Sequence, residues 1–471
     1  MFFICHQFKI ENLGKAGTKR KLIMLIRFTV ENYLSFHERI DFNMIASNET
    51  HHEHHVVKGQ SESDIDLLRT SIIYGANEAG KSNLIKAIGF AKAFIVDGVE
   101  KNESIDAINF KLEKTCYQKP SRFEFEFRYK NKQFAYGFSI SQNKVYDEWL
   151  FEIGHNLEMS IFERDDNNIR FNFEHDIFSG ISEREKQRID YEAESTRENL
   201  LFLTNCKERN IKWFNSIYRW FDDYLTIIFP ASEVGKFLPL LFLKEDTDFH
   251  DFFSVILRAF GFDIKKIDIK EKETDLEMFP SEIQNSIKKD FSSGKKDRIA
   301  ILSINKESYV IQKQDGQLKV LELVIFRNDQ DNDEIAFGLT EESDGTRRIM
   351  ELIPMLISLS KGHSVFIVDE IERSLHVLLI KKLFEFMLNN KQMLENVESQ
   401  LIVSTHEINL LNKKLFRKDE VWFVSKQKGK SRIYSLANAD IDDLDLAKGY
   451  LNGRFGAIPF IHGITELTWE D

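Results

Sequence analysis

The segment TSIIYGANEAGKSNLIKAIGFAKAFI, residues 70–95, decides the fold, because it places a glycine-rich loop between an apolar strand and a helix. The loop GANEAGKS matches the phosphate-binding pattern G-x-x-x-x-G-K-[ST] from Gly75 to Ser82. Glycines at these positions let backbone N–H groups turn inward around phosphates, and the N-terminus of the following helix adds partial positive charge. A glycine-rich turn without a ligand would leave Lys81 unexplained.

This loop therefore predicts a nucleotide site for ATP. In it, Lys81 reaches the β- and γ-phosphates and acts in catalysis, while Ser82 is a ligand of Mg²⁺. The residues predicted to line the site are Gly75, Ala76, Asn77, Glu78, Ala79, Gly80, Lys81, Ser82 and Asn83.

A second apolar strand, VFIVDEIE at residues 365–372, ends in acidic side chains. Paired acids after a buried strand are costly unless a cation or another partner neutralises them. We therefore expect Asp369 to hold the hydration shell of Mg²⁺ and Glu370 to orient or deprotonate an attacking water. The alternative is a set of acids favoured by the positive end of a helix, which fits Glu372 better than Asp369.

Two further stretches place polar residues beside apolar elements. EESDGTRRIM, residues 341–350, puts a Ser-Asp-Gly-Thr turn before a helix, which indicates a helix cap, a surface for a charged ligand, or both. Arg347 and Arg348 could pair with acids or with phosphate. LIVSTHE, residues 401–407, puts His406 just past a buried strand, where a lone histidine is usually structural.

The order of these motifs (GANEAGKS, ESDGTRR, FIVDEIERSLH, STHEINLL) resembles the ABC-type ATPases of the structural-maintenance-of-chromosomes and OLD (overcoming lysogenization defect) kind. It resembles more closely the bacterial AAA-family ABC-like ATPases of abortive-infection loci, the Rlo type. The resemblance covers nearly the whole chain from Met24 and includes MLIRFTVENYLSF and GYLNGRFGAIPF. It implies an α/β fold, a P-loop ABC-type ATPase head with a mixed sheet, split by a large α+β insertion.

The same resemblance assigns roles to individual residues. It implies that His406 contacts the γ-phosphate and that Ser343 and Gly345 close over the γ-phosphate held by a second subunit. The stretch after SLH commonly carries proline in such families, where this chain has Val377. Gln118 is a candidate for the glutamine of the Q-loop, and an incidental loop glutamine is the equal alternative.

The chain divides, by these patterns, into four segments. Residues 1–23 form an N-terminal extension, 24–110 the first half of the ATPase head, 111–335 a β-hairpin and helical insertion, and 336–471 the second half of the head. Within the insertion, FEFEFRYKNKQFAYGFSI (123–140) alternates as a hairpin, and the aromatic stripe of 183–227 indicates core or subunit interface. DEVWFVSKQ and SRIYSLAN are expected to be edge strands. HHEHHVV (51–57) is either a metal site or, as we favour, a solvated loop.

Composition limits the classes of function. The 471 residues are 42% hydrophobic and 30% charged, as in globular proteins, and the formal net charge of −12 argues against a protein that coats nucleic acid non-specifically. Three widely spaced cysteines, Cys5, Cys116 and Cys206, suggest a reducing cytoplasm and no structural zinc. No apolar run reaches the length of a membrane span, so we expect a cytoplasmic protein without a membrane partner.

The resemblance implies an ATPase that forms a homodimer or higher homo-oligomer through ATP-sandwiched heads. We expect it to be the sensor or switch of an anti-phage or toxin–antitoxin system. OLD-type proteins add a Toprim nuclease, but the short stretch after His406 offers only the acidic DIDDLD (440–445), interpreted as a solvated turn. The effector, a nuclease or toxin, is therefore expected to be a separate protein. The alternative is a DNA-repair-type ATPase that clamps nucleic acid ends, so nucleic acid stays open as a partner.

Overall fold

The computed structural model describes residues 23–59, 64–154, 157–230, 247–274, 298–304, 307–314, 317–362, 364–390, 398–439 and 446–457, with the single positions 277 and 284. The chain forms two compact units. The larger unit comprises Arg20–Ile227, His363–Ile371 and Glu398–Asp471, and the smaller unit comprises Ile228–Gly362 and Glu372–Val397. Most of the predicted extension 1–23 and all of DIDDLD lie outside the described residues. The four predicted segments remain a prediction.

The regular elements are numbered in chain order. The strands are β1 (Ile23–Glu31), β2 (Ile40–Asn43), β3 (Val56–Val57), β4 (Leu67–Leu68), β5 (Thr70–Gly75), β6 (Ser121–Tyr129), β7 (Lys132–Ile140), β8 (Val145–Ile153), β9 (Glu158–Asp165), β10 (Asn168–Phe171), β11 (Leu225–Ile228), β12 (Lys266–Thr274), β13 (Arg298–Ile304), β14 (Glu307–Gln314), β15 (Gln317–Asn328), β16 (Glu334–Gly338), β17 (Val365–Val368), β18 (Gln400–Ser404), β19 (Val421–Gln427) and β20 (Lys430–Ser435). The helices are α1 (Lys81–Asp97), α2 (Glu183–Glu194), α3 (Phe202–Glu208), α4 (Asn215–Arg219), α5 (Thr247–Ala259), α6 (Asp344–Lys361), α7 (Val377–Asn389) and α8 (Leu446–Leu451).

Seven antiparallel strands form the first sheet of the larger unit, in the order β10-β9-β8-β7-β6-β1-β2. The predicted hairpin is β6–β7, and its turn residues Lys130 and Asn131 both have positive φ (51° and 65°), as the tightest hairpin turns require. Phe123, Phe125 and Phe127 of β6 are buried, because alternate positions of a strand face the same side of a sheet. The hairpin prediction is confirmed.

Helices cover this sheet with aromatic side chains. Phe94 of α1 packs on Phe138 of β7, with ring centroids 5.6 Å apart. Trp220, in the helical turn after α4, stacks on Phe127 of β6 at 4.3 Å and is fully buried. The aromatic stripe therefore forms core in this unit, since large rings bury much apolar area at one contact.

The second sheet of the larger unit is mixed, in the order β11-β17-β18-β5-β19-β20. The pairs β17–β18, β18–β5 and β5–β19 are parallel, and β19–β20 is antiparallel. Strands buried on both faces read as continuous apolar runs, which explains VFIV in β17 and LIV in β18. The α/β fold with a mixed sheet agrees with the expectation. The prediction that DEVWFVSKQ is an edge strand was wrong: β19 pairs with β5 on one side and β20 on the other.

The smaller unit contains an antiparallel sheet and helices. Its strands pair in the order β12-β15-β14-β13, and β16 pairs with the C-terminal part of β15. The helix α6 begins after its cap residue Ser343 and ends at Gly362, which has a positive φ of 84°. Among the described residues, no helix combines the length and the apolar character needed to cross a bilayer.

Candidate functional site

The loop after β5 is shaped by its two glycines. A Cβ on Gly75 would lie 2.5 Å from the carbonyl oxygen of Val424 in β19, and a Cβ on Gly80 would overlap the side chain of Ser431. Gly80 also has a φ of 118°, which side chains disfavour, and Glu78 has a φ of 63°. The chain thus makes a tight cradle at the carboxyl end of β5, and only glycine fits at its two ends.

Lys81, the first residue of α1, lies over this cradle. Its side chain is buried, and Nζ donates hydrogen bonds to the carbonyl oxygens of Gly75 (2.7 Å) and Ala76 (3.2 Å). Nζ also lies 3.3 Å from Nδ1 of His406. Asn77 and Glu78 at the tip of the loop are exposed, whereas Ala79 is buried. The ammonium group is therefore held where a phosphate in the cradle would meet it.

Ser82 and Asp369 meet although they come from different parts of the sequence. The Ser82 hydroxyl donates to Oδ1 of Asp369 across 3.2 Å. Asp369 follows β17 and is 2% exposed, and Ser82 belongs to the first turn of α1. Because β5, β18 and β17 are parallel neighbours, their carboxyl ends lie at one edge of the sheet, where ligands of open α/β sheets bind.

Glu370 and Asp369 share one supporting residue. The hydroxyl of Ser404, at the end of β18, donates to Oδ1 of Asp369 (2.5 Å) and accepts from the backbone N–H of Glu370 (2.9 Å). Glu370 has a φ of 50°, an uncommon conformation for a residue other than glycine. Such strained residues concentrate at functional sites. Glu370 is half-buried, and His406, two residues beyond Ser404, is exposed.

Hydroxyl groups behind the loop were not identified from the sequence. Ser431 of β20 donates to the carbonyl oxygen of Ala79 (2.6 Å) and lies 2.8 Å from the hydroxyl of Ser35. Asn83 donates to the same Ser35 hydroxyl across 2.8 Å. Ser35 and Ser431 are 396 positions apart, so no local spacing could indicate that they meet.

The Ser-Asp-Gly-Thr turn at residues 343–346, called the signature turn below, belongs to the smaller unit. Ser343 caps α6, since its hydroxyl accepts from the N–H of Thr346 (3.1 Å). Glu342 is almost completely buried and forms a two-pronged ion pair with Arg327, with both N–O distances 2.8 Å. A Cβ on Gly345 would lie 3.0 Å from the carbonyl oxygen of Ser374, so this position is closely packed.

The two arginines of this turn pair with acids. Arg347 forms an ion pair with Asp344, three positions earlier, and Arg348 with Glu351 at 3.1 Å. Both arginines thus have an acidic partner within their own helix. Gln118 is exposed at the end of a short 3-10 helix, Lys114–Gln118.

The part of the chain that matches a known protein family contains most of the site residues described above. Residues 71–412 match the family described as "AAA domain, putative AbiEii toxin, Type IV TA system". No curated protein matches the chain.

Three solved structures of chromosome-maintenance heads are similar to the chain at low identity. An SMC head bound to the C-terminal winged-helix domain of ScpA has 13% identity and a TM-score of 0.42, with 87% of this chain and 97% of that chain covered. An SMC head domain from Thermotoga maritima has 11% identity and a TM-score of 0.37, with 88% and 99% covered. An SMC head with an extended coiled coil from Pyrococcus furiosus, bound to the C-terminal domain of ScpA, has 12% identity and a TM-score of 0.40, with 92% and 100% covered.

The family match includes the cradle, the acidic strand end and His406, and it spans well over half of the chain. The chain therefore belongs to this family of AAA-domain, P-loop ATPases.

Proposed function

We propose that this protein binds and hydrolyses ATP with Mg²⁺ in the cytoplasm, pairs with a second copy across ATP, and acts as the sensor or switch of an anti-phage, abortive-infection or toxin–antitoxin system. Its output would pass through a separate effector protein, a nuclease or toxin. The observation that carries the proposal is the 3.2 Å contact of Ser82 with Asp369 beside the glycine cradle and Lys81.

The cradle suits the phosphates of a nucleotide. At Gly75 and Gly80 the loop packs so closely against Val424 and Ser431 that no side chain fits, and the glycines let it curve around phosphate oxygens near the N-terminus of α1. Lys81 now donates to two loop carbonyls, and phosphate oxygens are stronger acceptors for its ammonium group. Lys81 thus binds the β- and γ-phosphates and stabilises the negative charge of the transition state.

A hydroxyl and a carboxylate at this edge fit Mg²⁺, which prefers oxygen ligands. Ser82 and Asp369 would hold the ion, directly or through its water shell. An ion held by these two residues would neutralise negative charge on the phosphates of the nucleotide. Ser404 orients Asp369 by its hydrogen bond, so the acid is positioned before any ligand arrives.

Glu370 acts on water in this proposal. Its carboxylate accepts a proton from the water whose oxygen attacks the γ-phosphorus, while the bond from that phosphorus to the bridging oxygen of ADP breaks. The products are ADP and inorganic phosphate. His406, next to Lys81, contacts the γ-phosphate and orients it for this attack.

In the proposed dimer, the signature turn of one copy contributes to the ATP site of the other copy. Ser343 and the first N–H groups of α6, an 18-residue helix, would close over a γ-phosphate bound by the other subunit. The ion pair of the buried Glu342 with the half-buried Arg327 holds this turn in place. A complete site would then require two chains, which links ATP binding to dimerisation.

The membership in a family whose description names a type IV toxin–antitoxin system supports the assignment to defence or toxin control. We expect the effector to associate with the ATP-bound dimer. Co-purification of the product of the neighbouring gene with ATP, and its loss with ADP, would support the switch. Equal capture in both states would contradict it.

The ATPase part is tested by phosphate release from the purified chain with Mg²⁺ and ATP. Asp369→Asn should lower kcat at least about a hundredfold, because the ion loses its charged anchor. Asp331→Asn, an exposed loop substitution, should leave turnover unchanged. Undiminished turnover of Asp369→Asn, or no turnover by the wild type, would overturn the assignment.

A further inference from the structure

Four histidines lie together in the loop before β3, apart from the nucleotide site, and the burial of His55 departs from the expectation of a solvated loop. We call His51, His52, His54 and His55 the histidine cluster. The rings of His52 and His55 stack with centroids 4.7 Å apart, and those of His54 and His55 are 4.5 Å apart. One nitrogen from each of His52, His54 and His55 falls within 4.8 Å of the other two. Small side-chain rotations would bring such a set around one ion.

The backbone of this loop is bent so that the rings converge. His52 has a φ of 52° and a ψ of 50°, a left-handed conformation that disfavours a side chain. His52 comes directly before the single 3-10 turn Glu53–His55. Its left-handed backbone brings the ring of His52 over the ring of His55, so that the two stack. Strain of this kind persists only where the surroundings determine it, and it is frequent at ligand sites.

Oxygen atoms from distant sequence fix the ring nitrogens. Nδ1 of His55 lies 3.0 and 3.1 Å from the two carboxyl oxygens of Glu420, which is fully buried. Nε2 of His52 lies 3.1 Å from the carbonyl oxygen of Lys413, and Nε2 of His51 lies 3.0 Å from the same oxygen. A carbonyl oxygen only accepts, so these two Nε2 atoms carry the proton and Nδ1 keeps its lone pair. Metal-binding histidines are usually held in this way.

Two arginines near the histidine cluster, Arg417 and Arg69, are each accompanied by an acid. Arg417 is buried and is paired with Asp419 through two hydrogen bonds of 2.9 and 2.8 Å. Its remaining N–H groups donate to backbone carbonyls, including that of Glu49 at 2.9 Å. Arg69 is countered by Glu398.

We propose that His52, His54 and His55 bind one first-row divalent transition-metal ion of the zinc class. Three imidazoles suit Zn²⁺ and its neighbours, whereas Mg²⁺ and Ca²⁺ require oxygen ligands. His54 is exposed, so the ion can enter from solvent and keep water at its fourth position. All three ligands belong to the loop 51–55, and the hydrogen bonds of His52 to Lys413 and of His55 to Glu420 connect this loop to the segment 413–420 of the same unit. This site does not depend on the proposed ATPase function.

The test is calorimetric titration of the full-length, untagged chain with ZnCl₂. We expect saturable binding of one ion per chain and a rise in the thermal midpoint when Zn²⁺ is present. Tetrahedral visible absorption bands should appear with Co²⁺ as the probe. His52→Ala combined with His54→Ala should weaken binding at least about tenfold and remove the thermal shift, as loss of ligands does. His376→Asn is the matched control, since it removes an exposed histidine outside the cluster and keeps a helix-capping side chain.

Two results would overturn the site: no saturable Zn²⁺ binding by the wild type, or unchanged affinity in the double variant. The melting temperature without metal shows whether the double variant folds. If it does not, His54→Gln alone, at an exposed position, gives the same comparison, and affinity equal to that of the wild type would again contradict the proposal.

Discussion

The Ser404 hydroxyl donates a hydrogen bond to Asp369, with Oγ and Oδ1 2.5 Å apart, although the residues are 35 positions apart in sequence. The same hydroxyl accepts from the N–H of Glu370. One serine on β18 thereby positions both acids that follow β17. The parallel pairing of these two strands makes this relationship possible.

Replacing this serine tests its role as a positioning residue. Ser404→Ala should lower kcat about ten- to a hundredfold with little change in KM, because the acids lose their alignment while the phosphate cradle stays intact. Ser404→Thr, which keeps the hydroxyl, should restore most of kcat. A parallel fall in kcat for both variants, or a change confined to KM, would assign Ser404 a packing role only.

Removing the charge of Glu370 should separate binding from hydrolysis. Glu370→Gln should bind ATP as the wild type does and lose nearly all turnover, since the amide cannot accept the proton of water. The closed dimer should then accumulate, which light scattering on a sizing column with ATP and Mg²⁺ would detect. Turnover equal to that of the wild type would remove Glu370 from the mechanism.

The glycine at the end of the cradle should not tolerate a side chain. Gly80→Ala combines an unfavourable φ with an overlap on Ser431, so we expect ATP binding to fall by at least about tenfold. Gly180→Ala is the control, because Gly180 also has a positive φ (79°) but no atom lies within 4 Å of the added Cβ. Fluorescent-nucleotide binding distinguishes them. Equal binding by both variants would mean that the cradle is not packed as described.

A carboxyl group in α2 should give the protein a stability that depends on pH. Hydrogen bonds from Lys212 and from the cap residue Ser182 lower the pKa of Glu185 to about 2. Because the pKa is lowered from 4.5, this contribution is complete above about pH 4.5 and is lost as pH falls toward 2. Urea unfolding of Glu185→Gln should differ from the wild type at pH 6 and converge with it near pH 2. A difference that is constant with pH would contradict this linkage.

The parts of the site that the sequence predicted are those with a local pattern. The loop around Lys81 and the acids at Asp369 and Glu370 follow apolar strands, and parallel strands bring such ends together. Ser404 carried a weak signal, as a polar residue at the end of an apolar strand.

Other parts depend on long-range pairing, which no spacing encodes. Ser431 meets the loop only because β20 pairs with β19, and His55 meets Glu420 only in the folded larger unit. For the same reason β19 was expected at an edge. The position of β19 beside β5 is set by strand pairing in the folded sheet, and the residues of β19 alone do not reveal it.

The central claim, that one chain completes the ATP site of another, is tested by mixing two inactive variants. Lys81→Ala should lose ATP binding at its own cradle, and Ser343→Arg should keep ATP binding but lose turnover. In a mixed dimer, the intact loop of one chain faces the intact signature turn of the other. Random pairing of equal amounts should therefore recover up to about a quarter of wild-type phosphate release, because half of the dimers are mixed and each has one complete site. Phosphate release by the mixture that stays at the level of the separate variants would contradict the shared site.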